Sequence, residues 1–500
     1  MTHLLVIPFV LPLLLGALLS WVGNGRVILQ RSLSLAGSAL LVLVALALLL
    51  QAAGGQVEVY ALGNWQAPFG IVLVLDRLSA LLVLTTAVLA LLANIYATTG
   101  DDRVGQNFHA LFQFQLAGIN GAFLTGDLFN LFVCFEVLLI ASYALLLHGQ
   151  GAQRLRPALH YVILNLVGSA LFLLGAGLFY GVAGTLNMAD LARVIAMAEG
   201  DQLYLLQAAG WVLLLVFGLK AAFLPLHFWL PRAYASATAP VAALFAIMTK
   251  VGLYAILRMS TLLFGEHSGA AASMGLELLF IAALLTMLLG ALGAFAAATL
   301  HSMLAYLVLV SVGMLLAAFS LGTEQAITAG LYYLLHSTWS IAGLFLLADL
   351  IARQRGKQRA VLRTGLPLAT PNRLGLVFFV GAIATAGLPP FSGFVGKLGL
   401  LQAVGGAQAL LLWPVVLLSG FIVILALSRA GSVLFWQHAG QHEHQPVLNR
   451  LGYSSAALLV ITSVLLVIFA APVLAFCQAS AQQLLQPELY LQQLQEVTSG

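Results

Sequence analysis

Hydrophobic residues follow one another along this chain in long runs, with few polar positions between them. An apolar run of about 20 residues matches a helix that crosses a hydrocarbon core about 30 Å thick. The pattern predicts an all-α polytopic membrane protein with about fourteen transmembrane helices. The predicted spans are 2–22, 30–51, 72–97, 108–125, 127–148, 158–182, 203–226, 239–264, 272–299, 302–321, 325–352, 373–402, 408–436 and 451–478.

Composition excludes a water-soluble globular protein. The 500 residues are 62% hydrophobic and only 7% charged, whereas soluble proteins carry about 25% charged residues. The two cysteines, Cys134 and Cys477, lie in apolar segments, so neither a disulfide framework nor a thiolate metal site is expected. The first run has no basic region before it and is interpreted as a retained helix rather than a signal peptide.

The sequence contains none of the motifs that are typical of ATPases or redox enzymes. There is no glycine-rich phosphate loop, haem motif or iron–sulfur spacing, and we predict no cofactor and no enzyme activity. Three histidines and a glutamate fall close together in one polar loop, which offers no helical face for ligands, so no metal site is predicted there. These residues are His438, His442, Glu443 and His444.

Basic residues predict the orientation of the chain. Of its 20 Lys and Arg residues, fourteen fall in the odd-numbered loops, three fall on the other side, and three are lysines inside apolar runs. Cytoplasmic loops are enriched in Lys and Arg. With fourteen helices, both termini are then predicted to lie outside. The basic loop 353–373 also suits contact with anionic lipid.

Two predicted helices contain internal breaks, near 220–232 and 387–397. The first holds Pro225 and Pro231, and the second holds Gly387, Pro389 and Pro390. Proline removes a backbone donor and disrupts the preceding helical turn. In a membrane such a break is tolerated only where protein or water satisfies the freed groups. The two breaks are five helices apart and therefore run in opposite senses, which fits inverted-repeat transporters.

Ionisable residues inside apolar runs are the candidates for chemistry. They are Glu136, Lys220, Lys250 and Lys397. A charge at membrane depth is costly and marks an ion or proton path by default. If Glu136 and Lys220 form a pair, separating them makes the amine release its proton more easily. The alternative is a static ion pair between two helices, and for Lys250 an amine that snorkels to the interface.

His336 is the fifth candidate, since a histidine can relay protons near neutral pH. Tyr332, His336 and Ser340 are spaced four apart and share one helix face. A simple hydrogen bond to a neighbouring helix is the alternative. His227 and His301 are weaker candidates, because one follows a proline and the other lies in a short link.

Three aspartates near predicted helix ends are attributed to interfacial water: Asp76, Asp127 and Asp349. Two short segments look amphipathic, 184–202 and 480–500. Each is compatible with the membrane surface, a partner subunit or this chain's own loops.

Four motifs carry a resemblance to a known family: FEVLLIASYALL, FGLKAAFLPLHFWLPRAYASATAPVAALFAIMTKVGLYAILR, MLAYLVLVSVGML and GLPPFSGFVGKLGLLQA. The chain resembles the antiporter-like membrane subunits shared by respiratory complex I and the Mrp-type (Pha, Mnh or Sha) multisubunit cation/proton antiporters. It looks most like the D subunit of the Mrp type, because of Lys397 and the segment LPRAYASA. One departure is Ser302, because relatives often have a basic residue at this position or near it.

The resemblance implies an architecture. Helices 1–3 occupy 1–107, two inverted five-helix repeats occupy 108–264 and 265–436, and the last helix and tail occupy 437–500. It also implies a proton path along the membrane midplane, which maps onto Glu136, Lys220, Lys250, His336 and Lys397. We therefore expect a proton-translocating subunit in a bacterial cytoplasmic membrane, assembled with other subunits and exchanging protons for Na⁺ or K⁺.

Two other functions stay open at this point. The chain could be a proton-pumping membrane subunit of a redox complex, such as complex I or a membrane hydrogenase. It could also be a scaffold whose buried charges only fix the register of its helices. The first is distinguished by the subunits that accompany the chain, and the second by transport that survives neutral substitution of Lys220.

Overall fold

The computed structural model describes residues 2–23, 25–65, 70–149, 151–437, 439–440 and 447–499. Nineteen α-helices and one β-hairpin make up these ranges. They are α1 (Ile7–Val22), α2 (Val27–Ala52), β1 (Glu58–Ala61), β2 (Val72–Leu75), α3 (Arg77–Ala97), α4 (Phe108–Leu124), α5 (Leu128–Leu146), α6 (Ala152–Ala183), α7 (Met188–Met197), α8 (Gly200–Ala221), α9 (Leu230–Ser236), α10 (Ala239–Arg258), α11 (Leu276–Ala296), α12 (Leu300–Ser320), α13 (Glu324–Gln354), α14 (Pro371–Ala386), α15 (Ser392–Ala403), α16 (Gly406–Phe435), α17 (Arg450–Ile468), α18 (Ala470–Leu485) and α19 (Glu488–Ser499).

The chain is a predominantly helical, polytopic membrane protein, as predicted. Twelve helices of the described ranges are long and apolar enough to cross a membrane. The other two predicted spans correspond to α4, which has 17 residues, and to the pair α14–α15. Both predicted breaks are present: α8 stops at Ala221 before α9 begins, and α14 stops at Ala386 before α15 begins. The inverted relation of the two repeats stays a prediction.

Two predicted boundaries are wrong. Residues 72–75 form strand β2, which pairs antiparallel with β1, and α3 begins only at Arg77. The last predicted helix, 451–478, is two helices, because α17 ends at Ile468 and α18 starts at Ala470. A continuous apolar run does not distinguish a buried strand from a helix, which explains the first error.

Polar residues between the apolar runs begin the helices. Asp76 accepts a bond from the Ser79 backbone and forms a capping box at the start of α3. Asp127 caps α5, and Asn187, Thr299 and Thr323 cap α7, α12 and α13 in the same way. Such caps satisfy N–H groups that the first helical turn leaves free. The attribution of Asp76 and Asp127 to interfacial water is therefore wrong, since they are 2% and 7% exposed.

Both amphipathic segments lie against this chain's own structure. Helix α7 packs on residues 259–271, and α19 packs on β1 and α7. In α19, the Tyr490 ring lies 5.5 Å from the Arg258 guanidinium. The polar loop residues His438, His442, Glu443 and His444 lie outside the described residues.

The centre of the molecule consists of α10, α12 and α13. Every residue of α10 is buried, and α10 contacts α8 on one side and α12 and α13 on the other. A Cβ atom at Gly252 of α10 would lie 2.5 Å from the backbone nitrogen of Ala221. Glycine therefore lets α10 approach the first break closely. This central helix connects the two regions that carry the candidate residues.

Candidate functional site: a series of buried amines

The first break is held by side chains from other parts of the chain. Thr286 of α11 accepts a hydrogen bond of 2.9 Å from the backbone N–H of Leu224. The Trp229 indole donates to the carbonyl oxygen of Leu219 at 3.0 Å. Backbone groups freed by the break thus have protein partners, as a membrane interior requires. The break fixes the end of α8, where Lys220 lies.

Ser169 of α6 links Lys220 to Glu136. The Lys220 ammonium donates to the Ser169 hydroxyl at 3.4 Å and to the Asn165 carbonyl at 3.4 Å. Ser169 in turn donates to a carboxylate oxygen of Glu136. No direct ion pair within 4.0 Å joins Glu136 and Lys220 in the described residues, and the Ser169 hydroxyl bridges them instead.

The two ends of this bridge differ in exposure. Lys220 is 5% exposed and its Nζ lies 5.8 Å from the centre of the Phe135 ring. Glu136 is half-buried, and Ile140, one turn further along α5, is 63% exposed. The carboxylate therefore lies near the lateral surface of the chain, and the amine lies inside it.

Replacing Ser169 with Ala is expected to slow proton-coupled exchange about tenfold, without loss of assembly. The change removes the hydroxyl that bonds both ionisable groups, and a hydrogen bond to a charged group contributes about 1.5–3 kcal/mol. Exchange is measured in membrane vesicles with a pH-sensitive dye. Ser463→Ala is the matched control, because that buried serine donates only to the Val460 carbonyl of its own helix. Equal activity of both variants would show that Ser169 does not couple Glu136 to Lys220.

Lys250 lies at the centre of the molecule and is completely buried. Its ammonium donates to the Ser311 hydroxyl of α12 at 3.1 Å and to the neighbouring Thr249 hydroxyl at 3.4 Å. Tyr254, one turn further along α10, donates to the Phe123 carbonyl at 3.0 Å. The snorkelling alternative does not hold, since the ammonium ends on a buried hydroxyl.

Lys397 closes the second break. Its ammonium donates to the carbonyl of Ala386, the last residue of α14, at 2.6 Å. Gly387 follows with φ of +79°, and a Cβ atom there would lie 2.5 Å from Cδ of Lys397. Glycine thus permits both the left-handed turn and the close approach of the lysine. A cation also suits the negative end of a helix, so Lys397 has a structural role at this position.

His336 lies between the central helix and the second break. Its Nδ1 is 2.8 Å from the hydroxyl of Ser392, the first residue of α15, and 3.4 Å from that of Ser340. Gly393 lies against the other ring nitrogen, where a Cβ atom would come within 2.8 Å. His336 is 1% exposed. Tyr332 shares its face but donates to the Leu466 carbonyl at 2.9 Å.

The five predicted residues form a series rather than one cluster. Glu136 and Lys220 are joined through Ser169, and His336 contacts the start of α15, the helix of Lys397. Lys250 lies on the helix between these two groups. None of the three lysines has a carboxylate within 4.0 Å in the described ranges. Each donates instead to hydroxyl or carbonyl oxygens, which cannot neutralise its charge; of these acceptors, only the hydroxyls can also pass a proton on.

Sequence reasoning missed a buried ion pair at the C-terminal end of α10. Arg258 and Asp76 are 2.6 Å apart, and the guanidinium lies 5.3 Å from the Tyr254 ring. The loop pattern alone places Arg258 among the loop cations. The sequence does offer one signal for a buried arginine: Arg258 lies inside the predicted apolar span 239–264, four residues after Tyr254. The pair fixes α3 against α10.

Asp349, the third aspartate attributed to interfacial water, accepts hydrogen bonds from Tyr96 and Arg353 at 2.7 and 2.6 Å.

Two adjacent aspartates in the turn after α3 have pKa values that are shifted in opposite directions. Burial disfavours ionisation of Asp102, but hydrogen bonds from His109 and Arg31 outweigh it and lower the pKa of Asp102 to about 2. Burial, together with the nearby charge of Asp349, raises the pKa of Asp101 to about 6, although Arg353 opposes this. Asp102 therefore stays ionised at neutral pH, whereas Asp101 takes up a proton near pH 6 although it also bonds an arginine.

The fold is that of a polytopic membrane protein with three lysines buried among its helices. Residues 125–423 match the family described as NADH:quinone oxidoreductase/Mrp antiporter, transmembrane. The chain is 41% identical to the D subunit of a probable K⁺/H⁺ antiporter of Rhizobium meliloti (strain 1021), over 97% of this chain and 96% of the relative. It is 37% identical to the D subunit of the Na⁺/H⁺ antiporter of Bacillus subtilis (strain 168), over 98% and 99%.

Solved structures show the same likeness. A chain of the Mrp complex from Dietzia sp. DQ12-45-1b has a TM-score of 0.88 at 27% identity, with 99% of both chains covered. A chain of an archaeal membrane-bound sulfane sulfur reductase has a TM-score of 0.87 at 25% identity, with 98% and 99% covered. The protein belongs to the NADH:quinone oxidoreductase/Mrp antiporter transmembrane family, and it is an antiporter-type membrane subunit. Its relatives are components of transporters and multisubunit complexes rather than free-standing enzymes.

Proposed function

We propose that this chain is the proton-translocating membrane subunit of a multisubunit Na⁺ or K⁺/proton antiporter. Protons would pass along Glu136, Lys220, Lys250, His336 and Lys397. The observation that carries the proposal is that three deeply placed lysines donate to oxygens of serine, threonine and backbone, with no carboxylate within 4.0 Å in the described ranges. A scaffold would gain more from lysines that are paired or replaced by apolar residues.

The arrangement supports transfer in steps rather than along one continuous wire. Ser169 can pass a proton between Lys220 and Glu136, since a hydroxyl both donates and accepts. A change in the charge of Lys220 alters the electrostatic cost of a charge at Lys250, and so on toward Lys397. A membrane potential of 100 mV supplies about 2.3 kcal/mol per charge, which is enough to bias each step.

The remaining expectations belong to the same proposal. Two inverted repeats would occupy 108–264 and 265–436, the odd-numbered loops would face the cytoplasm, and both termini would lie outside. Relatives named for K⁺ and for Na⁺ are of similar identity to this chain. Both cations must therefore be assayed, in complexes that contain the partner subunits.

Lys397→Arg is expected to keep the complex folded but to reduce exchange at least about tenfold. Arginine can still donate to the Ala386 carbonyl and keep a positive charge at the end of α14. It does not release its proton at any workable pH, so it cannot take part in a proton cycle. The measurement is dye-reported Na⁺/H⁺ and K⁺/H⁺ exchange in vesicles, with assembly followed on native gels.

The control for this variant is Lys357→Arg, at the only lysine of the loop between α13 and α14. Lys397→Ala removes both the charge and the contact with the Ala386 carbonyl, so it should lower thermal stability as well as exchange. Comparison with Lys397→Arg then separates the structural role of the lysine from its role in proton transfer. Full exchange by Lys397→Arg would show that the position requires only a fixed charge, which would remove Lys397 from the path.

A proton-pumping subunit of a redox complex is the second candidate. The likeness to the sulfane sulfur reductase chain, at TM-score 0.87, is nearly as close as that to the Mrp chain at 0.88. The subunits that copurify with the full-length chain distinguish the two. Small membrane subunits alone would favour the antiporter, whereas iron–sulfur subunits would favour the redox complex.

A further inference from the structure

A cavity of about 670 Å³ lies apart from the series of buried amines. It is lined by the first residues of α6, α10 and α12, by α9, by the end of α13 and by the loops beside them. None of the five proton-path residues lines it. Four arginines and one threonine of the lining carry the argument that follows: Arg154, Arg232, Arg353, Arg359 and Thr238.

Positive charge is in excess in this cavity. Its two acids, Asp101 and Asp349, both bond Arg353, at 2.6 Å each. In the part of the chain that the structure describes, Arg154, Arg232 and Arg359 form no ion pair within 4.0 Å. Four arginines therefore line the cavity against two carboxylates. An excess of cations around a common space favours the binding of an anion.

A buried hydroxyl supplies a second, independent indication. Thr238 lines the cavity and is only 6% exposed, and its Oγ1 has no hydrogen-bond partner among the described residues. An unsatisfied buried hydroxyl is unfavourable unless a ligand completes it. Thr238 directly precedes α10, and no side chain caps the N-terminus of that helix. The N-terminus of a helix carries partial positive charge and free N–H groups, which bind phosphate groups well.

We propose that this cavity is a binding site for a phosphate-type anion, held by Arg232, Arg359 and the Thr238 hydroxyl. Arg232 and Arg359 are exposed, so the site is open to its ligand. Guanidinium groups suit phosphate oxygens because their planar N–H groups can bind two oxygens at once. The ligand is either the headgroup of an anionic phospholipid or a free phosphate, since both present the same oxygens.

The first experiment measures binding of inorganic phosphate to the purified complex that contains the full-length chain, in a non-ionic detergent, by the rise in its unfolding temperature. The double variant Arg232→Gln with Arg359→Gln should bind phosphate at least about tenfold more weakly, because hydrogen bonds between charged groups are lost. Arg156→Gln is the matched control, because Arg156 is an exposed arginine in the first turns of α6 that does not line the cavity.

Thr238→Val gives a readout that survives if the double variant folds poorly. Without phosphate, this change removes an unsatisfied buried hydroxyl and should raise the unfolding temperature. At saturating phosphate the wild type gains stability that the variant does not. The difference in unfolding temperature between the variant and the wild type therefore becomes smaller or changes sign. A variant that is less stable than the wild type without phosphate, and equally stabilised by phosphate, would contradict the proposal.

The second experiment distinguishes the two sources of the anion. The same proteins are placed in nanodiscs of phosphatidylcholine alone or of phosphatidylcholine with phosphatidylglycerol. Stabilisation by phosphatidylglycerol, lost in the double variant and kept in Arg156→Gln, assigns the site to a lipid headgroup. Stabilisation by inorganic phosphate in phosphatidylcholine discs, with the same dependence on the variants, assigns it to free phosphate. Equal responses of all variants to both probes would overturn the proposal.

Discussion

Replacing Glu136 with Gln is expected to reduce proton-coupled cation exchange by about 100-fold or more, the contribution typical of a residue that transfers protons. Glutamine has nearly the same shape and still offers an oxygen to the Ser169 hydroxyl, so the bridge toward Lys220 keeps its geometry. The variant has neither the negative charge nor the exchangeable proton of the carboxyl group. Loss of transport in an intact assembly would therefore report on proton chemistry rather than on packing.

The measurement is dye-reported exchange in vesicles for both Na⁺ and K⁺, with assembly checked on native gels. Glu266→Gln is the matched control, because Glu266 is a carboxylate in the loop before α11, away from the series of buried amines. Normal exchange in Glu136→Gln would remove this residue from the mechanism. Equal losses in both variants would indicate a general effect of charge on the complex.

The double variant Glu136→Gln with Ser169→Ala identifies how the two residues act. If Ser169 works only by joining Glu136 to Lys220, its removal has no further effect once the carboxyl group is gone. The two changes then fail to add, as expected for groups in one hydrogen-bonded network. Additive losses would show that Ser169 serves Lys220 independently of Glu136.

The helices were largely predictable because each crossing requires an apolar run, and interruptions of these runs are visible in the sequence. The hairpin was not, since Val72–Leu75 merges with the apolar run of α3. The residue that follows the strand, Asp76, carries the missing signal. A capping aspartate with Ser79 three residues later marks a helix start, and the attribution of Asp76 to water overlooks it.

The ionisable residues of the site were predictable for a similar reason, whereas their partners were not. A lysine in an apolar run stands out at once. Ser169, Ser311 and Ser392 do not, because serines in apolar helices commonly bond their own backbone. Only packing shows which of them reach across to Glu136, Lys250 and His336. Whether Glu136 and Lys220 touch could not be read from the sequence for the same reason, because sequence places them only at similar depth and the Ser169 hydroxyl lies between them.

Lys250→Met is expected to stop exchange and at the same time to raise the stability of the complex. Lys250 is completely buried, and no carboxylate lies within 4.0 Å of it in the described ranges, so its charged form is costly in the folded state. Methionine fills a similar volume without the charge, and replacing buried ionic groups by apolar ones of similar size is neutral or stabilising by about 1–4 kcal/mol.

The two readouts together separate a transport role from a structural one. Ser311 keeps its bond to the Val308 carbonyl, at 2.7 Å, when the ammonium is absent, so the change leaves its hydroxyl satisfied. Thermal unfolding and vesicle exchange are measured for Lys250→Met and for Ile247→Met, a buried apolar position on the same helix. A destabilised Lys250→Met would mean that the lysine supports the fold. A stable but inactive variant would mean that this chain retains a costly buried amine for proton transfer between its two halves.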